Sequence, residues 1–182
     1  MRQINKIDID KSISKEKLVF DENWSDKFNR LAVHLTSSLL IYLPINSMLN
    51  DHFQNTNEYF ILYVLYPISI LIGTYIIYRN ATEKQLIKIS VSLDRKEIRN
   101  ILIKLSEKRQ YEIYRKSNDC LIFNQSIGDS NTNYKKTIIF IIKDNTLLFT
   151  VLRDNVKLNI PTMFTHLFLK RDLSKLLSSS QS

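Results

Sequence analysis

The sequence predicts an α+β protein: a two-helix transmembrane hairpin followed by a small, mostly antiparallel β-sheet domain with two helices. Three observations predict it. Tyr59 to Tyr78 is a run of twenty residues without a charge, which at a 1.5 Å rise per residue spans the roughly 30 Å hydrocarbon core of a bilayer. Leu31 to Leu49 is a second apolar block of nearly equal length, joined to the first by only nine residues, Asn50 to Glu58. From about residue 84 the hydrophobic period falls to two, and apolar runs alternate with Asn/Asp pairs.

The elements follow in chain order. Residues 1–30 are too polar for a cleaved signal and are expected to stay as a cytoplasmic N-terminal segment. Residues 31–78 form the hairpin, with spans at 31–49 and 59–78. The first span carries His34, Thr36, Ser37, Ser38, Pro44, Asn46 and Ser47, and it reads as a span because a stronger one follows so closely. Seven Lys/Arg lie in residues 1–30, none in 50–58 and nineteen in 79–182. Positive charge collects on the cytoplasmic side of membrane flanks, so both termini are expected in the cytoplasm and the short loop outside, with the protein in the inner (cytoplasmic) membrane. Trp24, Phe28 and Tyr78 fall where an interfacial aromatic belt is expected.

Residues 79–182 are read as a basic cytoplasmic α+β domain. Ile87, Ile89, Val91 and Leu93 alternate with polar residues as in a half-buried strand. Asp94 and Glu97 make a capping pattern, flanked by Leu93 and Ile98 as a hydrophobic staple, and Ile98, Ile101, Leu102 and Leu105 continue as one helical stripe. Asn118–Asp119, Asp144–Asn145 and Asp154–Asn155 then mark turns, because Asn and Asp tolerate the positive φ of tight hairpins. Strands are expected at 111–117, 120–126, 136–143, 146–152 and 156–160. The run Ile138 to Ile142 is apolar on both faces, so both faces need a cover. The capped helix supplies one. A second helix, from Pro161 to about Leu177, is expected to face Phe164, Leu167 and Phe168 inward, with another subunit covering what remains.

Composition excludes several chemistries. The only two glycines, Gly73 and Gly128, cannot build a glycine-rich phosphate loop or a nucleophile elbow. One cysteine, Cys120, permits neither a disulfide framework nor a cysteine-built zinc site, and a free thiol suits a reducing compartment. His34, His52 and His166 show no metal-ligand spacing. Asp94 and Glu97 serve the cap, and Asp119, Asp144 and Asp154 serve turns. A non-enzymatic protein without cofactor or metal is expected. Scarce Gly with abundant Ile, Lys and Asn fits an AT-rich, prokaryotic genome.

Two features carry function. His34, Ser38, Tyr42 and Asn46 recur every four residues and share one face of the first span. Polar groups inside a bilayer face protein or water. This stripe serves interhelical hydrogen bonding in the hairpin or a homo-oligomer, or else a water-lined path in an assembly; without a carboxylate or arginine in either span, the first is favoured. Ser69 and Gly73 make a small-xxx-small surface on the second span. The other feature is the basic domain, with nineteen Lys/Arg against ten Asp/Glu, which suits an anionic partner such as lipid headgroups, a nucleotide or a nucleic acid. Tyr114–Arg115–Lys116 and Tyr134–Lys135–Lys136 flank strands on either side of the polar loop 127–133, each pairing a stackable ring with two cations. Lys170–Arg171 can join them. The expected ligand-binding set is therefore Arg115, Lys116, Tyr134, Lys135, Lys136, Lys170 and Arg171, with Lys116 and Lys135 converging near one rim.

Two short spans followed by a small basic cytoplasmic domain resemble the membrane effectors of cyclic-nucleotide-signalled anti-phage systems, of the CBASS and type III CRISPR accessory kinds. The resemblance lies in the layout of the whole chain and involves no motif. It implies a cyclic nucleotide or cyclic oligonucleotide as ligand rather than duplex nucleic acid, self-assembly, and spans that disturb the membrane. A membrane adaptor or scaffold subunit, and an immunity protein acting against a toxin in the same membrane, share the layout and remain open alternatives.

Overall fold

A computed structural model describes residues 7–50, 59–126, 135–154, 162 and 164–179. The expected strand 156–160, the polar loop with Tyr134, and Pro161 lie outside the described residues. The architecture is the α+β one expected, with two long helices followed by a five-stranded antiparallel sheet and its helices.

The N-terminal segment holds a short helix α1 (Ile9–Ser14), capped by the Asp8 carboxylate on the Lys11 amide at 3.0 Å. Helix α2 spans Trp24–Asn50, and α3 spans Tyr66–Thr82 after a π-helical stretch at Ile61–Leu65. Both long helices are long and apolar enough to cross a membrane. Helix α2 starts seven residues before the apolar block, because the Asn23 carbonyl accepts from the amides of Asp26 and Lys27 and opens the first turn. The widened turn in front of α3 ends just ahead of Pro67, whose ring in a regular helix would crowd the carbonyl four residues earlier.

The two helices close on each other at Gly73. A Cβ there would stand 2.8 Å from Ile41 Cγ1 and 2.9 Å from the Ser37 carbonyl oxygen. Ser69 Oγ donates to the Leu40 carbonyl at 2.9 Å, and Ser47 and Tyr66 hydroxyls meet at 2.9 Å. The small-residue surface expected on the second helix is thus the hairpin's own contact.

The sheet order is β1-β5-β4-β3-β2, all antiparallel: β1 (Ile87–Ser90), β2 (Glu112–Lys116), β3 (Cys120–Ser126), β4 (Lys135–Lys143) and β5 (Thr146–Asp154). The β4–β5 turn has Asp144 at φ 48°, as the Asp–Asn pair predicts. Helix α4 (Arg95–Lys108) carries the capping box, with the Asp94 amide donating to Glu97 Oε2 at 3.2 Å. It buries Ile98, Leu102 and Leu105 on one sheet face, against Phe123, Phe140 and Phe149.

Helix α5 (Thr165–Ser179) covers the same face, but with Leu169, Leu173 and Leu177 rather than the predicted Phe164, Leu167 and Phe168. Spacing of four and four selects one stripe as well as spacing of three and four selects the other, and the sequence held both. The helix begins at Thr165, later than the Pro161 expected.

The opposite sheet face is not left for another subunit. Ile7, Ile9, Ile13, Leu18 and Phe20 of the N-terminal segment pack on Cys120, Ile122, Ile139, Ile141, Leu148 and Leu152. The Leu18 amide donates to the Lys84 carbonyl at 2.8 Å and the Leu86 amide to the Glu16 carbonyl at 2.9 Å, so the segment is also tied by backbone to the stretch leading into β1.

Candidate functional site

A cleft of about 110 Å³ opens at one end of the sheet, between the end of α4, the starts of β2 and β4, the end of β3, and the first turns of α5. Arg109 and Tyr111 are placed there by Gln110, whose φ of 54° ends α4 in the left-handed region and swings the chain into β2. Lys136 and Gln125 are register partners on β4 and β3. Strand alternation puts Lys136 on the helix-covered face with Ile138 and Phe140. Thr165, Phe168 and Asp172 come from α5.

The electrostatics are unbalanced. Arg109 Nη2 donates to Asp172 Oδ2 at 2.5 Å, which engages the one carboxylate lining the cleft among the described residues. Lys136 is half-buried, and burial first, then the nearby Arg109 charge, holds its ammonium below the usual lysine value. Gln125 Oε1 is buried without a hydrogen-bond partner among the described residues. Burial also pushes the Tyr111 hydroxyl up. Among the described residues, two cations, an amide and two hydroxyls thus face a space that holds one already engaged acid. A phosphate oxygen there would gain charge-assisted hydrogen bonds, each worth about 1.5–3 kcal/mol.

Of the residues predicted to bind ligand, Lys136 alone among those whose side chains are described lines this cleft. Lys116 pairs with Leu121 and Lys136 with Gln125, so four residues of β3, roughly 13 Å, separate them along the sheet. Lys116 therefore does not converge with β4's first residues. The reason is topological: Arg115 and Lys116 sit at the β2–β3 turn, whereas Lys135 and Lys136 sit at the opposite end of their strands. Only the backbone of Lys135 is described, and Tyr134 lies outside the described residues. Lys170 and Arg171 are exposed on α5, with the Arg171 guanidinium 5.9 Å from the Phe168 ring centroid. Arg109, Tyr111, Gln125 and Thr165 were not anticipated. A helix-terminal Arg looks like a dipole partner in sequence, and only the third dimension brings it to Lys136.

The polar stripe His34, Ser38, Tyr42 and Asn46 does not hold the hairpin together. The buried residues of α2 are Asp26, Val33, Ser37 and Pro44, with the Ser37 carbonyl against Gly73, whereas Ser38, Tyr42 and Asn46 are exposed. Ser38 Oγ bonds back to the His34 carbonyl at 2.8 Å, and Asn50 Nδ2 reaches Asn46 Oδ1 at 3.0 Å. The stripe lies one position away from the packed line, on a neighbouring helical face.

A second polar cluster joins the long helices to the sheet domain. Glu22 engages both Arg30 and Lys84, and the Lys84 ammonium stands 4.6 Å over the Phe20 ring. Thr150 Oγ1 donates to the buried Glu83 carbonyl at 2.8 Å. Arg79 Nε donates to the Thr162 carbonyl at 3.3 Å, and Thr162 Oγ1 to the Val151 carbonyl at 3.4 Å. The end of α3 is thereby bonded to β5 and to the approach of α5.

Compared with known proteins, no family model, no curated protein and no solved structure matches this chain.

Proposed function

We propose that this chain is a two-span inner-membrane sensor: its sheet domain binds a phosphate-bearing anion in the Arg109–Lys136 cleft, and the cluster around Glu22, Lys84 and Glu83 passes that event to the spans. The observation that carries the reading is the placement of Lys136 beside Arg109 in a cleft where, among the described residues, the one lining carboxylate is already paired. At about 110 Å³ the cleft is well below the roughly 300–1,000 Å³ of whole small-molecule sites. It takes the phosphate group and leaves the rest of the ligand outside. The resemblance of layout makes a cyclic nucleotide the signal, self-assembly the response, and membrane disturbance in prokaryotic defence the output.

The placement of both flanks on one side is supported by packing. The segment before α2 covers the sheet that follows α3, and a chain crossing twice returns to the side from which it started. The nineteen cations of residues 79–182 support the cytoplasm as that side.

The test is titration of the full chain, in detergent, with a panel of cyclic oligonucleotides and with pyrophosphate, alongside binding to vesicles of anionic lipid. Lys136→Gln and Arg109→Gln should each weaken binding about tenfold or more, from one charge-assisted bond lost, and Lys116→Gln should change it little. Soluble nucleotide binding with that pattern supports the sensor reading. The same pattern with anionic vesicles alone makes the cleft a headgroup site. Equal small losses in all three variants mean a diffuse surface field, and remove the site.

A further inference from the structure

Helix α5 has two apolar faces. Leu169, Leu173 and Leu177 fill the core, while Phe164, just before the helix, and Leu167 and Phe168 in its first turn point the other way, at 53%, 52% and 59% exposure. Their spacing of three and four places them on one side. Large side chains gathered like this in solvent mark a surface that something covers.

The neighbourhood identifies the cover. The Phe164 ring stacks on Tyr75 of α3 with centroids 5.3 Å apart, and Arg79, one turn on, bonds the Thr162 carbonyl. Tyr75 lies inside the uncharged run Tyr59 to Tyr78 that is read as the second span. The patch is therefore continuous with the lipid-facing surface of α3, near its end. Next to it Tyr78 is exposed on α3, and Trp24 and Phe28 are exposed at the start of α2, the aromatic residues favoured at headgroup level. Directly after the patch come the exposed cations Lys170 and Arg171. An apolar face followed by cations is the pattern of a helix lying in the interfacial plane, with its apolar side in the headgroup–acyl boundary and its charges among the phosphates.

From this continuity we infer that the start of α5 is a membrane-interfacial foot, in which Phe164, Leu167 and Phe168 are immersed in the bilayer that α2 and α3 cross, and Lys170 and Arg171 meet anionic headgroups. It rests on the reading of those helices as spans but not on the cleft or its ligand. The foot fixes the sheet domain against the membrane at a further point besides the chain connections at Trp24 and Thr82, so the cleft, which shares Phe168 and Thr165 with it, opens beside the lipid surface.

The experiment uses the full chain in liposomes, with a single environment-sensitive fluorophore on a cysteine in a Cys120→Ser background. Labels go at Leu167→Cys and Phe168→Cys, both exposed and outside the core, at Leu71→Cys on the outer face of α3, and at Asn145→Cys in the turn at the far end of the sheet. Lipids bearing a quencher near the headgroup should cause loss of emission at 167 and 168, with a blue shift relative to the label at 145. Lipids quenched deep in the acyl region should act on 71, and neither should act on 145. Quenching at 71 with none at 167 and 168 overturns the foot and leaves the spans in place. Absence of quenching at all positions overturns both. Quenching at 145 equal to that at 168 means that the domain lies unspecifically on the surface, and also overturns it. Leu167→Ser/Phe168→Ser should reduce the shift of a label at Phe164→Cys while leaving quenching at 71 unchanged.

Discussion

Glu22, in the segment before α2, lies 2.5 Å from the ammonium of Lys84, in the link between α3 and β1, and both side chains are only 15% exposed. The pair joins the two flanks of the helical hairpin directly. Breaking one partner of a fully buried pair costs about 3–5 kcal/mol; with water still reaching this one, Glu22→Gln should lower stability by roughly 2–3 kcal/mol. Thermal melts of Glu22→Gln, Lys84→Gln and the double variant should give a coupling of at least about 1 kcal/mol. Additive losses would mean that the two side chains act separately.

Gly73 sets the distance between the long helices. Any Cβ there meets the Ser37 carbonyl oxygen at 2.9 Å, and backbone cannot yield as a flexible side chain can. Gly73→Ala should cost about 1–3 kcal/mol, the range for overpacking, and Gly73→Leu should separate the helices. Cysteines at Ser47 and Tyr66, whose native hydroxyls touch, read this out with a short bismaleimide that fills the space of the lost tyrosine ring: it should cross-link the parent and fail in Gly73→Leu.

Leu18 is buried at 1% exposure in the cover over the second sheet face. Leu18→Ala should destabilise by about 2–5 kcal/mol, and should speed amide exchange in β3 and β4 as that face opens. Unchanged exchange there would mean that the segment is dispensable to the sheet.

Lys136 is held in the cleft at a penalty, since burial and Arg109 both disfavour its charged form. Its pKa in the folded protein is depressed below the unfolded value, so the penalty is present at neutral pH and stability recovers as pH rises through the folded pKa. Lys136→Met, which removes the charge and keeps the length, should stabilise the ligand-free protein by about 1 kcal/mol. Pyrophosphate should raise Tm in the parent and leave it unmoved in Lys136→Met. A pyrophosphate shift that survives the substitution would place the anion elsewhere.

Cys120 has no exposed surface, and burial pushes its thiol up to about 11. Maleimide at pH 8 should label it only after unfolding. Because the folded pKa is raised, the unfolded chain releases the thiol proton first: the contribution is fully present below the unfolded pKa, near 8.5, and is lost as pH rises to about 11. The loss should reach roughly 1–3 kcal/mol and should vanish in Cys120→Ala.

Much of the fold was legible because its signals are local. An uncharged run, the Asp94–Glu97 cap and the Asp144–Asn145 turn each declare an element within a few residues. What local pattern did not carry was the choice between faces. Helix α5 offers two apolar stripes, and only the position of the sheet and of Tyr75 decides that Leu169 turns inward and Phe168 outward. The cover by Leu18 and Phe20 was equally hidden, since its partners lie a hundred residues on, beyond both long helices. For the same reason the cleft was half seen. Lys136 stood out as one of two adjacent cations beside a ring, but Arg109 reaches it only through the packing of α4 against α5. Lys116, equally cationic, was carried by strand direction to the wrong end.

The order of synthesis gives the N-terminal cover an awkward beginning. Leu18 and Phe20 leave the ribosome before either long helix, whereas the strands that they cover end with Asp154. At about 5–20 residues per second, the wait is on the order of ten seconds, during which both long helices are also synthesised. Through that interval the segment's apolar side chains have no native surface to meet. Nascent chains halted before β5 should therefore bind holdase chaperones through residues 7–20, and release them once β5 has emerged.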